Sequence, residues 1–119
     1  RVPGSIKIAE LGLTLKFGLV KTDEVRFGSG KRAYMDYDRI TPPVMVRNVR
    51  PGDRIQPLGM RGRKKVKDLF IDEKIARDER RRLPIVVDRD SVLWIPGLRL
   101  SERVKIRDAT KNVLKIEIN

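Results

Sequence analysis

Apolar and polar positions alternate from the start of the chain. Ile6 and Ile8 flank Lys7, and Leu11, Leu13, Leu15 and Phe17 keep the same period through Gly12, Thr14 and Lys16. A repeat of two places one face of a strand against a core, so residues 1–20 are expected to form two strands. Pro3-Gly4 and Gly18 mark their boundaries. The polar, Gly-bearing stretch 21–32, which includes Phe27, reads as a loop or hairpin connection. A third strand is expected over Ala33–Asp38. Pro42-Pro43 then breaks the chain, and Val44, Val46 and Val49 suit a fourth strand. This Pro-Pro is the expected seam between a strand-rich segment, residues 1–42, and a basic α+β domain, residues 43–119. A unit of about 40 residues buries little surface alone, so the two parts are also compatible with a single unit.

The period changes after Arg63. Val66, Leu69 and Phe70 fall at i, i+3 and i+4, which makes one apolar stripe on a helix reaching Asp72 or Glu73. Lys64, Lys65, Lys67 and Asp68 take its other faces, with Lys64 and Asp68 one turn apart. A second short helix is expected over Arg77–Leu83. Its acids, Asp78 and Glu79, come first and its bases, Arg80 to Arg82, come last, which complements the helix dipole. Pro84 stops it. Ile85-Val86-Val87 is a continuous β-branched run, typical of a strand buried on both faces. Asp88 to Ser91 reads as a turn, Val92 to Ile95 as a strand closed by Pro96-Gly97, and Val104 with Ile106 as alternating. Val113 to Ile118 is the last strand. The expected fold class is α+β: about seven mostly antiparallel strands with two short helices mid-chain.

Composition adds a second constraint. The chain has 119 residues with 28 Lys+Arg against 16 Asp+Glu, a formal net charge of +12. Such an excess favours long-range attraction to nucleic acid or another polyanion. Cysteine and histidine are both absent, which excludes a disulfide framework, a thiolate metal site and the commonest general base. No apolar run approaches the ~18 residues of a membrane span, and no signal peptide is visible. The chain opens with Arg-Val-Pro-Gly rather than Met, so it is expected to be a piece of a longer protein.

The bases concentrate in one stretch, Arg47 to Glu73. Arg47, Arg50, Arg54, Arg61, Arg63, Lys64, Lys65 and Lys67 lie there, and before Asp68 only Asp53 offsets them. Pro51-Gly52, Pro57, Gly59 and Gly62 punctuate it as turns, where backbone can approach a ligand closely. The stretch is therefore expected to be a basic loop feeding the N-terminal half of a helix and meeting RNA. Gly59 to Lys65 is not a nucleotide phosphate loop, because the Walker glycine spacing and the hydroxyl after the lysine are both missing. Aromatic residues are only 5% of the chain and mostly fall at core positions, Trp94 among them. Recognition is thus expected to be of duplex backbone and shape rather than of splayed bases. Asp68, Asp72, Glu73, Asp78 and Glu79 read as helix ion pairs, and Asp88 and Asp90 as turn residues. Nothing assembles a nucleophile with a base and an orienter, so the chain is expected to be non-catalytic. If Leu98 to Arg103 is a strand, Arg99 and Arg103 share one of its sides near the basic face.

These residues carry a resemblance. Arg50-Pro51-Gly52-Asp53-Arg54, Pro57-Leu58-Gly59-Met60, Gly62, Lys64 to Asp72 and Lys74-Ile75 resemble, in order, the C-terminal region of bacterial tRNA(Ile)-lysidine synthetases. So do Pro3-Gly4, Glu79-Arg80, Leu83 to Val86, Leu93 to Arg99 and Ser101-Glu102-Arg103. The match covers essentially the whole chain. It departs at Ala76, where the family usually has Pro, and at Asp78, where an aromatic is common. The resemblance implies an α+β module similar to one in the phenylalanyl-tRNA synthetase beta subunit. It implies a parent enzyme, cytoplasmic, that uses ATP to adenylate the wobble cytidine of an isoleucine tRNA with a CAU anticodon and joins lysine to it. The ATP loop, Ser-Gly-Gly-x-Asp-Ser, belongs to an N-terminal domain and is absent from these residues, so no cofactor is expected here. The implied role is gripping the tRNA acceptor stem with the Arg50 to Lys67 bases, and with Lys74 and Arg99. The competing expectation is a structural module that docks on its own catalytic domain or forms a homodimer.

Overall fold

The computed structural model describes residues 4–8, 11–25 and 30–119. Among the described residues, two four-stranded antiparallel sheets and a two-stranded ribbon carry ten strands. The first sheet has the order β1-β2-β10-β3, with β1 Gly4–Ile8, β2 Leu13–Val20, β3 Arg32–Asp36 and β10 Val113–Ile118. Its registers set apolar residues opposite one another: Ile6 meets Leu15, Ile116 meets Phe17 and Ala33, and Leu114 meets Met35. The C-terminal strand thus lies between two N-terminal ones. The Pro42-Pro43 position, whose peptide bond is cis, falls where the chain leaves this sheet for the second. Residues 1–42 contribute three of the first sheet's four strands, and β10 supplies the fourth.

The second sheet has the order β4-β7-β8-β9, with β4 Met45–Arg47, β7 Ile85–Val87, β8 Val92–Ile95 and β9 Arg99–Leu100. Its central strands, β7 and β8, are buried on both faces. Val86, Leu93 and Trp94 join Leu15, Phe17, Met35, Leu114 and Ile116 in one cluster against the first sheet. Ile85, Val87, Val92 and Ile95 join Ile55, Val66, Leu69 and Phe70 in a second cluster. That is the physical basis of the unbroken Ile85-Val86-Val87 run, all three residues being buried. The layers are therefore sheet, sheet and helix.

Helix α1, Val66–Asp72, buries the expected stripe: Val66, Leu69 and Phe70 are 0%, 3% and 1% exposed. Full burial of each such side chain contributes about 1.5–3 kcal/mol. This packing, rather than intrinsic propensity, holds a helix of seven residues, which would be marginal alone. α1 starts later than the sequence predicts. Lys64 and Lys65 are not helical but form β6, which pairs with β5, Arg54–Ile55. The Val66 N–H donates to the Asp53 carbonyl at 3.0 Å, and this bond fixes where the helix can start. The expected Lys64–Asp68 pair is accordingly replaced by an ion pair from Lys64 to Asp72. Helix α2 spans Arg77–Arg82, close to the predicted limits.

Other expectations are also corrected. β3 ends at Asp36, whose carboxylate accepts from the Asp38 N–H and turns the chain into a 3-10 segment, Tyr37–Arg39. β4 stops at Arg47, short of Val49. Leu98 to Arg103 is not one strand. Only Arg99–Leu100 pairs with β8, after which the Ser101 hydroxyl accepts from the Arg103 N–H and starts a 3-10 turn, Glu102–Val104. Val104 and Ile106 consequently lie outside any strand. The connection predicted over 21–32 is described only at its ends, and Phe27, like Pro3, lies outside the described residues.

One buried carboxylate ties these parts together. Asp88 accepts from the Thr41 N–H at 2.9 Å, from the Asp90 and Ser91 N–H groups at 2.8 and 3.0 Å, and from the Arg103 guanidinium at 2.6 Å. Arg103 also donates to the Arg39 carbonyl and the Ser91 hydroxyl, while Arg39 donates back to the Arg103 carbonyl. Burial alone would push the Asp88 pKa up. The bonds from Arg103 and the three backbone N–H groups outweigh it and hold the carboxyl below its ordinary value. The Asp88 side chain is fully buried. Removing its cation therefore leaves a buried, uncompensated charge, and Arg103→Met is expected to cost about 3–5 kcal/mol in urea unfolding. A loss under about 1 kcal/mol would contradict that role.

Candidate nucleic-acid interface

The basic stretch is built on a turn. Arg50-Pro51-Gly52-Asp53 closes with the Asp53 N–H donating to the Arg50 carbonyl at 3.1 Å. Proline fixes the second position of such a turn. Gly52, at φ 88°, supplies the left-handed conformation that the third requires. The Asp53 carboxylate then accepts both terminal nitrogens of Arg47 at 2.8 Å and the Arg50 N–H at 2.6 Å. A bidentate pair of this kind is strong and geometrically specific. The Asp53 carbonyl accepts Val66 N–H, so one residue fixes the turn, the ribbon and the start of α1. Burial opposes ionisation of Asp53, but the bonds from Arg47 and Arg50 outweigh it and lower its pKa. The bond to Asp53 raises that of Arg47 in turn.

The next loop, Gln56 to Met60, is also pinned. Leu58 N–H donates to the Leu100 carbonyl at 2.9 Å, and Gly59 N–H donates to the Glu102 carboxylate at 2.8 Å. Met60 N–H donates to the Pro57 carbonyl at 2.9 Å, and Gln56 Nε2 to the Met60 carbonyl at 2.9 Å. Glu102 in turn holds Lys105 at 2.5 Å, and these two donors keep its carboxyl below the ordinary range. The loop is thus a fixed platform rather than a slack tether.

The ten bases singled out from the sequence divide on this scaffold. Arg50, Arg54, Arg61, Arg63, Lys65, Lys67 and Lys74 are exposed and make no ion pair among the described residues. Arg47 is committed to Asp53, Lys64 to Asp72 and Arg99 to Glu73, the last at 3.0 Å. Arg54 and Arg63 line one cleft of about 250 Å³ together with Arg47, and Arg89, which the sequence reading did not single out, lines it too. Arg50 and Lys67 line a second cleft with residues of α2. Arg99 lines a third, beside Gly30 and Gly97. Arg103 does not join the basic face, because it points into the Asp88 network. Arg89 was masked by its setting between two acids, and the cue available was its place in a four-residue turn. Phe17, Tyr34, Phe70 and Trp94 are buried, so these rings offer no base platform. No cluster of acidic residues suited to a metal ion occurs among the described residues.

The profile of the TilS substrate C-terminal domain matches residues 44–118. The chain belongs to this family. It is 40% identical to the tRNA(Ile)-lysidine synthase of Caldanaerobacter subterraneus subsp. tengcongensis over 98% of its own length and 25% of that protein's. To the tRNA(Ile)-lysidine synthase of Symbiobacterium thermophilum it is 36% identical, over 98% and 24% of the respective lengths. The chain thus spans about a quarter of the length of these curated relatives. Its structure is similar to the crystal structure of a TilS C-terminal domain, with a TM-score of 0.85 and 29% identity, over 100% of this chain and 92% of that one. An N-terminal fragment of the phenylalanyl-tRNA synthetase beta subunit from Pyrococcus horikoshii shares the fold, with a TM-score of 0.60 and 21% identity over 74% of this chain and 28% of that one. The α+β class read from the strand and helix pattern, and the TilS C-terminal fold implied by the resemblance, are both borne out.

The lowered Asp53 pKa gives a pH dependence with a definite sign. An acid whose folded pKa lies below its unfolded value of about 3.9 adds stability above that value and loses it as pH falls through the folded pKa. Asp53→Asn is expected to cost about 1–3 kcal/mol at neutral pH. It should also flatten the loss of stability below about pH 4, as followed by urea unfolding across pH. Equal acid sensitivity of the two proteins would contradict the assignment.

Proposed function

We propose that this chain is the tRNA-gripping C-terminal domain of a tRNA(Ile)-lysidine synthase, and that it holds the acceptor stem. The observation that carries this reading is a set of exposed bases with no ion pair among the described residues: Arg54 and Lys65 on the paired β5–β6 ribbon, Arg61 and Arg63 in the loop joining its strands, and Lys67 on the first helical turns of α1. Bases held at fixed positions, with the described rings mostly buried, suit a regular line of phosphates. An A-form duplex offers that line, and reading its shape requires no base to leave the stack. The relatives are tRNA(Ile)-lysidine synthases, which makes tRNA the natural duplex.

The chemistry lies elsewhere in this proposal. The longer protein would use ATP to activate the wobble cytidine of a CAU anticodon and join lysine to it, in a domain carrying the Ser-Gly-Gly-x-Asp-Ser loop. The present chain would contribute affinity and register, far from the reacting base. A cytoplasmic setting belongs to the same proposal, and no helix among the described residues is long and apolar enough to cross a membrane.

The test is salt-dependent tRNA binding. Each phosphate neutralised contributes to the slope of log affinity against log salt. Arg63→Glu, Lys65→Glu and Lys67→Glu together leave the Lys64–Asp72 pair untouched. They are expected to lower that slope by about 2–3 and to weaken binding at least tenfold, with an unchanged melting curve. Unchanged binding by a folded triple variant would refute the reading.

A further inference from the structure

The two helices and the chain leaving β4 enclose a groove of about 430 Å³. This volume lies within the roughly 300–1,000 Å³ of small-ligand sites. Its apolar lining is Val49, Pro51 and the almost wholly buried Phe70. Its rim carries Arg50, Lys67, Arg77, Arg80 and Arg81, and no acidic residue lines it. None of these five cations makes an ion pair among the described residues. Arg80 is held in place: its Nε donates to the Ile75 carbonyl at 2.9 Å, and its guanidinium lies over the Phe70 ring at 6.0 Å from the centroid. The groove wall is fixed as well, because Asn48 Nδ2 donates to the Arg81 carbonyl at 2.6 Å.

We propose that this groove binds an unpaired nucleotide, in single-stranded RNA running on from the duplex held by the adjoining basic loop. The proposal rests on the stem-binding reading above, since Arg50 and Lys67 border both surfaces. Charge complementarity selects a phosphate-bearing occupant. The recess selects a base. A duplex backbone presents phosphate and sugar outward and has nothing apolar to place over Val49 and Pro51, whereas a single strand can splay a base into such a site. A guanidinium plane fixed over an aromatic ring is a ready stacking partner for a base. The buried rings had excluded base platforms elsewhere, and here a fixed arginine takes that role. The rim arginines Arg77 and Arg81 then meet the flanking phosphates.

The test compares three RNAs by fluorescence anisotropy on the 119-residue chain: a blunt hairpin stem, the same stem with a short unpaired tail, and the tailed stem with an abasic tail. The natural tail is expected to tighten binding about tenfold, and the abasic tail to restore little of this. Arg80→Lys keeps the charge and loses the planar stack. It is expected to remove the tail-dependent gain and leave blunt-stem affinity and the melting curve unchanged. Arg77→Glu with Arg81→Glu should remove the gain as well. Natural and abasic tails that bind alike overturn the proposal, as does a tail that adds nothing. Competition by poly-glutamate that abolishes the gain while sparing the blunt stem would assign the groove to an acidic peptide instead. Failure of the blunt stem to bind, with tailed RNA still bound, would leave the groove standing and remove the stem reading.

Discussion

The structure depends on a buried carboxylate that draws three distant segments to one point. Asp88 sits in the turn between β7 and β8. It receives a backbone N–H from Thr41, where the chain leaves the first sheet, and the guanidinium of Arg103, where it begins its return to that sheet. A charge so buried is tolerated only when fully satisfied, so its donors must all be in place together. That requirement aligns the two sheets where their shared core, Val86, Leu93 and Trp94 against Leu114 and Ile116, can close. Reciprocal bonds between Arg39 and Arg103 tie the same two segments a second time.

Asp53 repeats the device on a smaller scale. It combines a guanidinium with backbone N–H groups, and it orders the turn from which the basic ribbon and α1 depart. The arginines thereby fall into two populations. Arg47 and Arg103 are internal ties whose charge is offset by a paired carboxylate, while Arg54, Arg61, Arg63, Arg77, Arg81 and Arg89 are exposed and make no ion pair among the described residues. A net charge of +12 measures the sum of both and describes neither. Only the second population is available to a polyanion, and the first fixes where it stands.

Much of this was legible in the chain. Period-two alternation located β1, β2 and β10, the β-branched run marked the doubly buried β7, and the i, i+3, i+4 stripe marked the core face of α1. The missed features share a cause: they are set by contacts distant in sequence. Lys64 and Lys65 have no strand pattern, and pairing with Arg54 and Ile55 makes them one. Arg103 looked like a surface base because sequence does not reveal that Asp88, fifteen positions earlier, faces it. Asp88 itself looked like an ordinary turn residue. The arginines of α2 were read for the helix dipole alone, although the 77–81 spacing places two of them on one face. The groove they border exists only once Val49 and Phe70 are brought beside them.

Membership of the TilS C-terminal family and the fixed basic platform both support the proposal that this chain grips tRNA for chemistry performed elsewhere in a longer protein. Backbone protection of tRNA by that longer protein, compared with a version lacking these 119 residues, tests this most directly. Protections on the acceptor stem should vanish with the domain, while those at the anticodon loop remain. Acceptor-stem protections that persist in its absence would contradict the account.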